Sequence, residues 1–260
     1  HYNQSYGVVG PSGPSPDQHQ RQSNAAKPSN LFPTPLIAKE PKICTQYNLH
    51  DGGFREKTRS YRHRYGPFRR AYGRHKCRIL TADYNQLDPR TVSYEKISDI
   101  RFELLKKLVG RVGEGTFIEP PFRPDYGCNI SIGRDCFLNW NVTILDTSLV
   151  IIGDRVQMGP NVGIYTAGHE TSVLSRRKFV EFGHCVKIGD DCWIGGSVVI
   201  LPGVTIGEGC TIGAGSVVTK DIPPFSVAVG SPCRVRKTIQ SAEEEENDPQ
   251  NPYRAMVREL

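Results

Sequence analysis

The sequence predicts a mainly β protein whose central part is a parallel β-helix of stacked triangular coils. One observation is an aliphatic residue at every sixth position near the C-terminal half: Ile188, Ile194, Ile200, Ile206, Ile212 and Val218. Another is that two upstream triplets keep this spacing: Ile132, Leu138, Ile144 and then Ile152, Met158, Ile164. Six is a multiple of the strand period of two, so all these side chains point to one side, whereas a helix would scatter them. Three hexads per turn make a triangular coil that its neighbour covers.

A second column lies four residues after each of these positions and favours small or apolar residues. Its members are Cys136, Val142, Ser148, Val156, Val162, Gly168, Cys192, Val198, Val204, Cys210, Ser216 and Ile222. Together the two columns predict four coils with a continuous apolar interior. The register breaks twice, by an eight-residue step from Ile144 to Ile152 and by a longer polar excursion from Thr166 to His184. We interpret that excursion as a loop.

The N-terminal part of the chain has a different composition. Residues 1–53 are rich in Ser, Pro, Gln, Asn and Gly, which predicts a disordered linker. Residues 54–78 form a basic arm with ten Lys and Arg against one acid, Glu56. Aromatic residues alternate with these cations, so the arm has the composition to contact phosphates and stack on bases. The alternative is a solvated arm, or one that docks on the domain.

A helical cap is predicted at 79–117, before the β-helix at 118–239 and a peripheral tail at 240–260. Between Leu87 and Val109 a loose apolar stripe indicates one helix, which begins at Asp88-Pro89 and ends before Gly110. We expect it to cover the first open coil.

Composition narrows the class of protein further. The eight cysteines contain no Cys-x-x-Cys pair, and Cys136, Cys192 and Cys210 occupy the second apolar column, which predicts core cysteines and a reducing, cytoplasmic location. Only two histidines, His169 and His184, fall in the repeat region, whereas a zinc enzyme on such a coil needs three imidazoles. We therefore expect no metal. No apolar run approaches 18 residues, so no membrane span is predicted.

Several longer stretches resemble one family, the maltose/galactoside O-acetyltransferases, which includes the nodulation-type sugar acetyltransferases. The stretches are EPPFRPDYGCNISIG, FLNWNVTILD, IGDRVQMGPNVGIYTAGH, VEFG, IGDDCWIGGSVVILPGVTIG and IGAGSVVTKDIPPFSVAVGSPCRV, in this order between residues 118 and 238. The resemblance implies a left-handed β-helix, a homotrimer with active sites between subunits, and acetyl-CoA as the donor.

Within the TAGH motif, His169 matches the catalytic base of the family. A sugar hydroxyl is a weak nucleophile, and an imidazole, which titrates near neutral pH, can take its proton as the oxygen attacks a thioester. The resemblance therefore implies direct acetyl transfer without an acetyl-enzyme.

Matches to the family also imply two sets of binding residues. The acceptor set contains Asp125, Asn139, Asp146 and Glu181, with Tyr84 and Asn85 of the TADYNQLDPR motif approaching the acceptor pocket. Alternatives remain for three of them, since Asp125 and Asp146 can cap corners and Asn139 can support a left-handed turn. The donor set contains Trp193, Gly196, Ala214, Thr219, Lys220, Arg234 and Lys237. In this set the resemblance implies that the Gly196 amide stabilises the oxyanion that develops during acetyl transfer, and that the cations bind the CoA phosphates. Any single cation can also be a solvated surface residue.

The sequence departs from the family pattern at two points. Glu170 follows the catalytic histidine where proline is usual, and only one predicted helix follows the TADYNQLDPR motif instead of two. These departures bear on the acceptor more than on the reaction class. We therefore predict an acetyl-CoA-dependent O-acetyltransferase acting on a sugar or polyol. The alternatives are N-acetylation of an amino sugar or small amine, and a hexapeptide-repeat scaffold whose basic arm binds nucleic acid.

Overall fold

The computed structural model describes residues 67–254, which form two helices followed by a parallel β-solenoid of six coils, the last incomplete. The predicted linker 1–53, residues 54–66 of the basic arm and residues 255–260 of the tail lie outside the described residues. The mainly β fold and the parallel coils are confirmed. The left hand of the coil stays a prediction.

Two helices precede the solenoid: α1 (Pro67–Asn85) and α2 (Tyr94–Leu108). The helices pack on each other and on the first coil. The predicted boundary between arm and cap at residue 78 is wrong, because it falls inside α1. Helix α1 has few apolar anchors, chiefly Cys77 and Tyr84, which are buried and lie two turns apart on one face.

The helix predicted from Asp88-Pro89 begins later than expected. Asp88 accepts hydrogen bonds from the backbone N–H groups of Arg90 and, through its carbonyl, Thr91, so this segment is a turn. Ser93 is the N-cap of α2, with an extended backbone. The cap therefore has two helices, one on each side of the aspartate-proline turn.

The strands follow in chain order. Coil 1 contains β1 (Arg111–Val112), β2 (Phe117–Ile118) and β3 (Arg123–Pro124); coil 2 contains β4 (Ile130–Ile132), β5 (Phe137–Leu138) and β6 (Thr143–Leu145); coil 3 contains β7 (Val150–Ile152), β8 (Gln157–Met158) and β9 (Gly163–Tyr165). The chain then leaves the solenoid through β10 (Ala167–Gly168), α3 (Val173–Arg177) and β11 (Phe182–Gly183).

The solenoid resumes after this excursion. Coil 4 contains β12 (Val186–Ile188), β13 (Trp193–Ile194) and β14 (Val199–Ile200); coil 5 contains β15 (Thr205–Ile206), β16 (Thr211–Ile212) and β17 (Val217–Val218). The last, partial coil contributes β18 (Ser226–Val229), which β19 (Arg234–Thr238) pairs in antiparallel fashion, and α4 (Ala242–Asn247) follows.

The strands stack into three parallel sheets, which we call faces A, B and C. Face A is β1, β4, β7, β12 and β15; face B is β2, β5, β8, β13, β16 and β18, with β19 at its edge; face C is β3, β6, β9, β14 and β17. The register places the predicted hexad residues directly over one another, as in Leu138, Met158, Ile194 and Ile212 on face B. All twelve hexad residues are at most 2% exposed, so the inward column is confirmed.

The second column is also buried, apart from the half-buried Ser148 and Gly168. Cys136, Cys192 and Cys210 are therefore core residues, as predicted, and no disulfide joins the described cysteines. The solenoid has more coils than the predicted four, because the first coil already begins at Arg111 and its inward positions are Val112, Ile118 and Pro124. The observed cap therefore ends at Gly110, before the predicted boundary at residue 117.

Two kinds of corner matter for the site. The B–C corner is the set of turns that lead from face B to face C, and the C–A corner leads from face C to face A of the next coil. At the B–C corner the turns of coils 2 to 5 each contain a residue with positive φ: Asn141, Asn161, Ser197 and Gly215. Asn and Gly tolerate this backbone at low steric cost. Asn139 is not among these residues, so it does not supply the left-handed turn.

Candidate active site

The polar excursion after coil 3 is a short hairpin that leaves the C–A corner. Strands β10 and β11 pair in antiparallel fashion, with Gly168 opposite Phe182. A Cβ atom on Gly168 would lie 2.4 Å from the Phe182 ring, so glycine allows the ring to pack this closely on the strand. His169 follows directly and is exposed. The pairing therefore fixes the backbone immediately before the predicted base.

The imidazole of His169 has one defined hydrogen bond. Its Nδ1 atom lies 2.9 Å from the backbone carbonyl oxygen of Val180, on the returning arm of the hairpin. A carbonyl oxygen can only accept, so Nδ1 carries the hydrogen, and in the neutral ring Nε2 then keeps the lone pair. This ring is arranged to accept a proton at Nε2.

Asp125 lies just after β3 at the C–A corner and is bound by a residue of the predicted basic arm. The guanidinium of Arg74 donates to both of its carboxylate oxygens, with Nε–Oδ1 and Nη2–Oδ2 distances of 2.9 Å. The hydrogen bond from Arg74 to Asp125 raises the pKa of Arg74, against the effect of burial, and the nearby Glu181 carboxylate adds to the rise. Arg74 therefore joins two predicted acceptor residues electrostatically.

Sequence reasoning missed Arg74, because residues 67–78 were interpreted as an arm. A helical signal was present, since Arg74 precedes the buried Cys77 by three residues and lies on the same face of α1. Its partner, however, lies 51 residues away and has no local relation to it.

Asp146 has a different environment from the one that the family resemblance implied. The side chain is fully buried, Oδ1 accepts from the N–H groups of Asp125 and Tyr126, and Oδ2 lies 3.3 Å from the N–H of Asn129. Burial raises the pKa of Asp146, while these backbone hydrogen bonds oppose the rise. The geometry favours the corner-supporting alternative, because the side chain is fully buried and both of its oxygens face backbone N–H groups.

Tyr84 and Asn85 also serve the fold. Tyr84 is 1% exposed and its hydroxyl donates to the carbonyl of Ile118 at 2.6 Å. Asn85 exchanges two hydrogen bonds of 2.9 Å with the backbone of Phe122. Their predicted approach to the acceptor pocket is wrong for Tyr84, which is enclosed in the core, and Asn85 has both amide atoms occupied in tying α1 to the chain before β3.

Two other acceptor residues remain half-buried. Asn139 lies at the B–C corner, where its Oδ1 accepts from the N–H of Trp140 at 2.8 Å. Glu181 lies on the returning arm of the hairpin, next to Val180. Glu170, which stands where the family usually has proline, is exposed. Its backbone carbonyl accepts a hydrogen bond from the Arg176 guanidinium, which helps to shape the hairpin.

The predicted donor residues line the outside of the last coils. Trp193 lies on face B and is 56% exposed; Gly196 and Ala214 lie at the B–C corner, Thr219 and Lys220 at the C–A corner, and Arg234 and Lys237 on β19. The N–H of Gly196 has no backbone acceptor among the described residues. A Cβ atom built on Gly215 would meet no other atom within 4 Å, so the space beside this residue is open. The small residues leave room for an extended thioester chain beside the exposed indole. The cations suit the phosphates at the other end of such a ligand.

One chain does not bring the whole predicted site together. His169, Asp125 and Glu181 belong to the C–A corner and its hairpin, whereas Asn139, Gly196 and Ala214 belong to the B–C corner. A triangular coil keeps its corners a full face apart, so the two groups meet only if another copy supplies one of them.

Residues 67–254 also bear on metal binding and on membrane insertion. No group of three or more His, Cys, Asp or Glu side chains there has the arrangement to hold a metal ion. Of the helices in this part of the chain, none combines the length and apolar character that a bilayer crossing requires.

The sequence is similar to known acetyltransferases. The family model described as "Bacterial transferase hexapeptide (six repeats)" matches residues 185–220. A putative acetyltransferase of Saccharomyces cerevisiae is 45% identical over 166 residues, which cover 64% of this chain and 82% of that protein. The galactoside O-acetyltransferase of Escherichia coli is 43% identical over 162 residues, or 62% of this chain and 77% of the relative.

The fold is also similar to solved structures of acetyltransferases. A maltose O-acetyltransferase from Clostridium difficile superposes with a TM-score of 0.62 at 46% identity, over 66% of this chain and 89% of that one. A hexapeptide-repeat acetyltransferase from Vibrio cholerae, solved in complex with acetyl-CoA, has a TM-score of 0.61 at 35% identity, over 66% and 89% of the two chains.

Proposed function

We propose a specific reaction from the premise that this chain belongs to the hexapeptide-repeat acetyltransferases, the family of the galactoside and maltose O-acetyltransferases, and is itself an acetyltransferase. The reaction is transfer of the acetyl group of acetyl-CoA to a hydroxyl group of a sugar or related polyol. The observation that carries the proposal is the His169 ring, whose Nδ1–H is held by Val180 while Nε2 is free to accept a proton.

His169 is the general base of this reaction. Acetyl-CoA supplies the acetyl group as a thioester. Nε2 accepts the hydroxyl proton of the acceptor, and the hydrogen bond from Nδ1 to Val180 keeps the ring in the required tautomer and orientation. The free N–H of Gly196 supports a role in stabilising the oxyanion. The imidazolium then returns the proton to the departing sulfur, so transfer is direct and no acetyl-enzyme forms.

Acceptor hydroxyls are bound by Asp125 and Glu181 near His169, with Asn139 from the other corner. Arg74 positions the Asp125 carboxylate, and Asp146 positions the backbone of Asp125 by accepting a hydrogen bond from its N–H group. The donor is held by Trp193, Gly196 and Ala214. The cations Lys220, Arg234 and Lys237 bind the CoA phosphates through charge-assisted hydrogen bonds.

The functional unit is a homotrimer with its sites between subunits. Two features support this: the site residues are divided between two corners, and face B with its corner exposes the large apolar side chains of Phe137, Trp140 and Trp193. A neighbouring subunit would cover these side chains and complete the site.

The test is release of the CoA thiol from acetyl-CoA across a panel of sugars, polyols and amino sugars. Turnover with hydroxyl-only sugars supports O-acetylation. Turnover confined to amino sugars would favour the N-acetyl alternative, and no turnover with any acceptor would overturn the proposal. Nucleic-acid binding by the basic arm and a cytoplasmic location stay predictions.

A further inference from the structure

A cavity of about 350 Å³ lies between α1 and β3, outside the residues assigned above to acetyl transfer. Its lining includes Arg78 and Asn85 of α1, Gln86 directly after that helix, Phe122 directly before β3, and Arg123 and Pro124 of β3. The Asn85 amide, locked to the Phe122 backbone, fixes the two walls to each other. The cavity is open to solvent and lies at the junction between cap and solenoid.

Two arginines in this cavity have no counter-charge. Arg78 and Arg123 are both exposed, and neither guanidinium group forms an ion pair or hydrogen bond with another residue of the described part of the chain. Arg74, one turn earlier on α1, differs because Asp125 neutralises it. The lining carries no acidic residue, so the cavity is positively charged.

The cavity adjoins the proposed acceptor site. Arg123 lies two residues before Asp125, so both side chains point outward from the same end of face C, Arg123 exposed and Asp125 half-buried. In the register of that face, Asp125 is level with Leu145 and Tyr165, and the chain reaches His169 four residues after Tyr165. Neighbouring coils are about 4.8 Å apart, so Asp125 and Tyr165 are separated by two such steps, about the length of a sugar with one substituent.

We propose that the acceptor carries an oxyanion, a phosphate or carboxylate group on the sugar, which Arg78 and Arg123 bind in this cavity. The inference rests on the proposed function and narrows its substrate class. The planar guanidinium fork suits either oxyanion, and two such forks facing one cavity match a group with several acceptor oxygens. Gln86 adds a neutral donor, and Phe122 and Pro124 add an apolar wall for the sugar ring.

The experiment compares matched acceptors with the full chain: glucose against glucose 6-phosphate, and galactose against galacturonic acid. We expect kcat/KM to be at least tenfold higher for the anionic member of a pair. In the double variant Arg78→Met/Arg123→Met that preference is expected to fall about 10- to 100-fold, with the KM for acetyl-CoA unchanged. The matched control is Arg111→Met, an exposed arginine on face A of the same coil, which leaves the preference intact.

Binding of the same compounds without acetyl-CoA separates this inference from the proposed function. Calorimetric binding of a sugar phosphate or uronic acid that the double variant loses supports the cavity even if no acetyl is transferred. Neutral acceptors used as well as anionic ones would overturn the inference and leave the acetyltransferase intact. A raised KM for acetyl-CoA in the double variant, with an unchanged acceptor preference, would reassign the two arginines to the donor and also overturn it.

Discussion

The imidazole Nδ1 of His169 lies 2.9 Å from the carbonyl oxygen of Val180, across a hairpin that projects from the C–A corner of the solenoid. The two residues are eleven positions apart, and the hairpin holds them together through the pairing of Gly168 with Phe182. The backbone thus selects the tautomer of the base before any substrate binds.

Replacing His169 with alanine is expected to lower kcat by about 10² to 10⁴-fold, because no other group at this position can accept the hydroxyl proton. Acetyl-CoA binding, measured by calorimetry, should change little. The control is His75→Ala, an exposed histidine on α1. A variant at His169 with the wild-type rate would remove this residue from the mechanism.

The Arg74–Asp125 ion pair is expected to stabilise both the cap and the acceptor site. Its side chains are only 33% and 17% exposed, so the interaction should exceed that of a surface pair. A double-mutant cycle with Arg74→Met and Asp125→Asn, followed by urea unfolding, should give a coupling of about 1 to 2 kcal/mol. Arg74→Met should also raise the acceptor KM and leave that of acetyl-CoA unchanged.

The matched control for that cycle is the exposed pair Asp88–Arg90, in which the arginine side chain is 88% exposed. Arg90→Met should change neither stability nor KM measurably. A coupling near zero between Arg74 and Asp125 would show that the pair contributes no more than this surface pair.

Asp146→Ala is expected to destabilise the protein by about 2 to 5 kcal/mol in urea unfolding. The substitution leaves buried N–H groups of Asp125, Tyr126 and Asn129 without an acceptor. Asp154→Ala should cost less, because the Asp154 side chain is 35% exposed and accepts from only one backbone N–H of the preceding coil, that of Arg134. If Asp146→Ala raised the acceptor KM at unchanged stability, direct acceptor binding would replace the corner-supporting role.

Mixing two inactive variants is expected to restore activity, because the proposed site joins two corners of different subunits. His169→Ala and Asn139→Ala, coexpressed with different tags and purified as mixed trimers, should regain about a third of wild-type activity, because every mixed trimer contains one intact site of three. Each variant alone should stay inactive. Mixed trimers no more active than the separate variants would place both residues in one subunit's site, or exclude Asn139 from the site.

The hexad column should dominate folding stability. Ile212→Ala removes a fully buried side chain between Ile194 and Ala228 and is expected to cost about 2 to 5 kcal/mol in the free energy of unfolding. The adjacent Thr211→Ala points outward and should cost well under 1 kcal/mol. Equal losses at both positions would contradict the inward and outward alternation.

The solenoid was predictable because its information is local and repeated. A period of six combines the strand alternation with a corner, so each hexad residue could be placed inside from its neighbours alone, and all twelve are buried. The first coil escaped this reasoning because Pro124 takes an inward position that aliphatic residues occupy elsewhere. Helix α1 escaped because its buried face is short and its remaining surface is basic.

The sequence by itself determined the coils, their inward residues and, through the TAGH motif, the histidine of the proposed chemistry. Only the tertiary structure decided which polar residues meet: that Arg74 binds Asp125, that Asp146 is enclosed beneath the corner, and that Val180 fixes the His169 ring. The physical reason is that burial in a repeat follows from a short period, whereas hydrogen bonds between distant segments depend on where several coils and a helix place their side chains. Such contacts leave no periodic trace in the sequence.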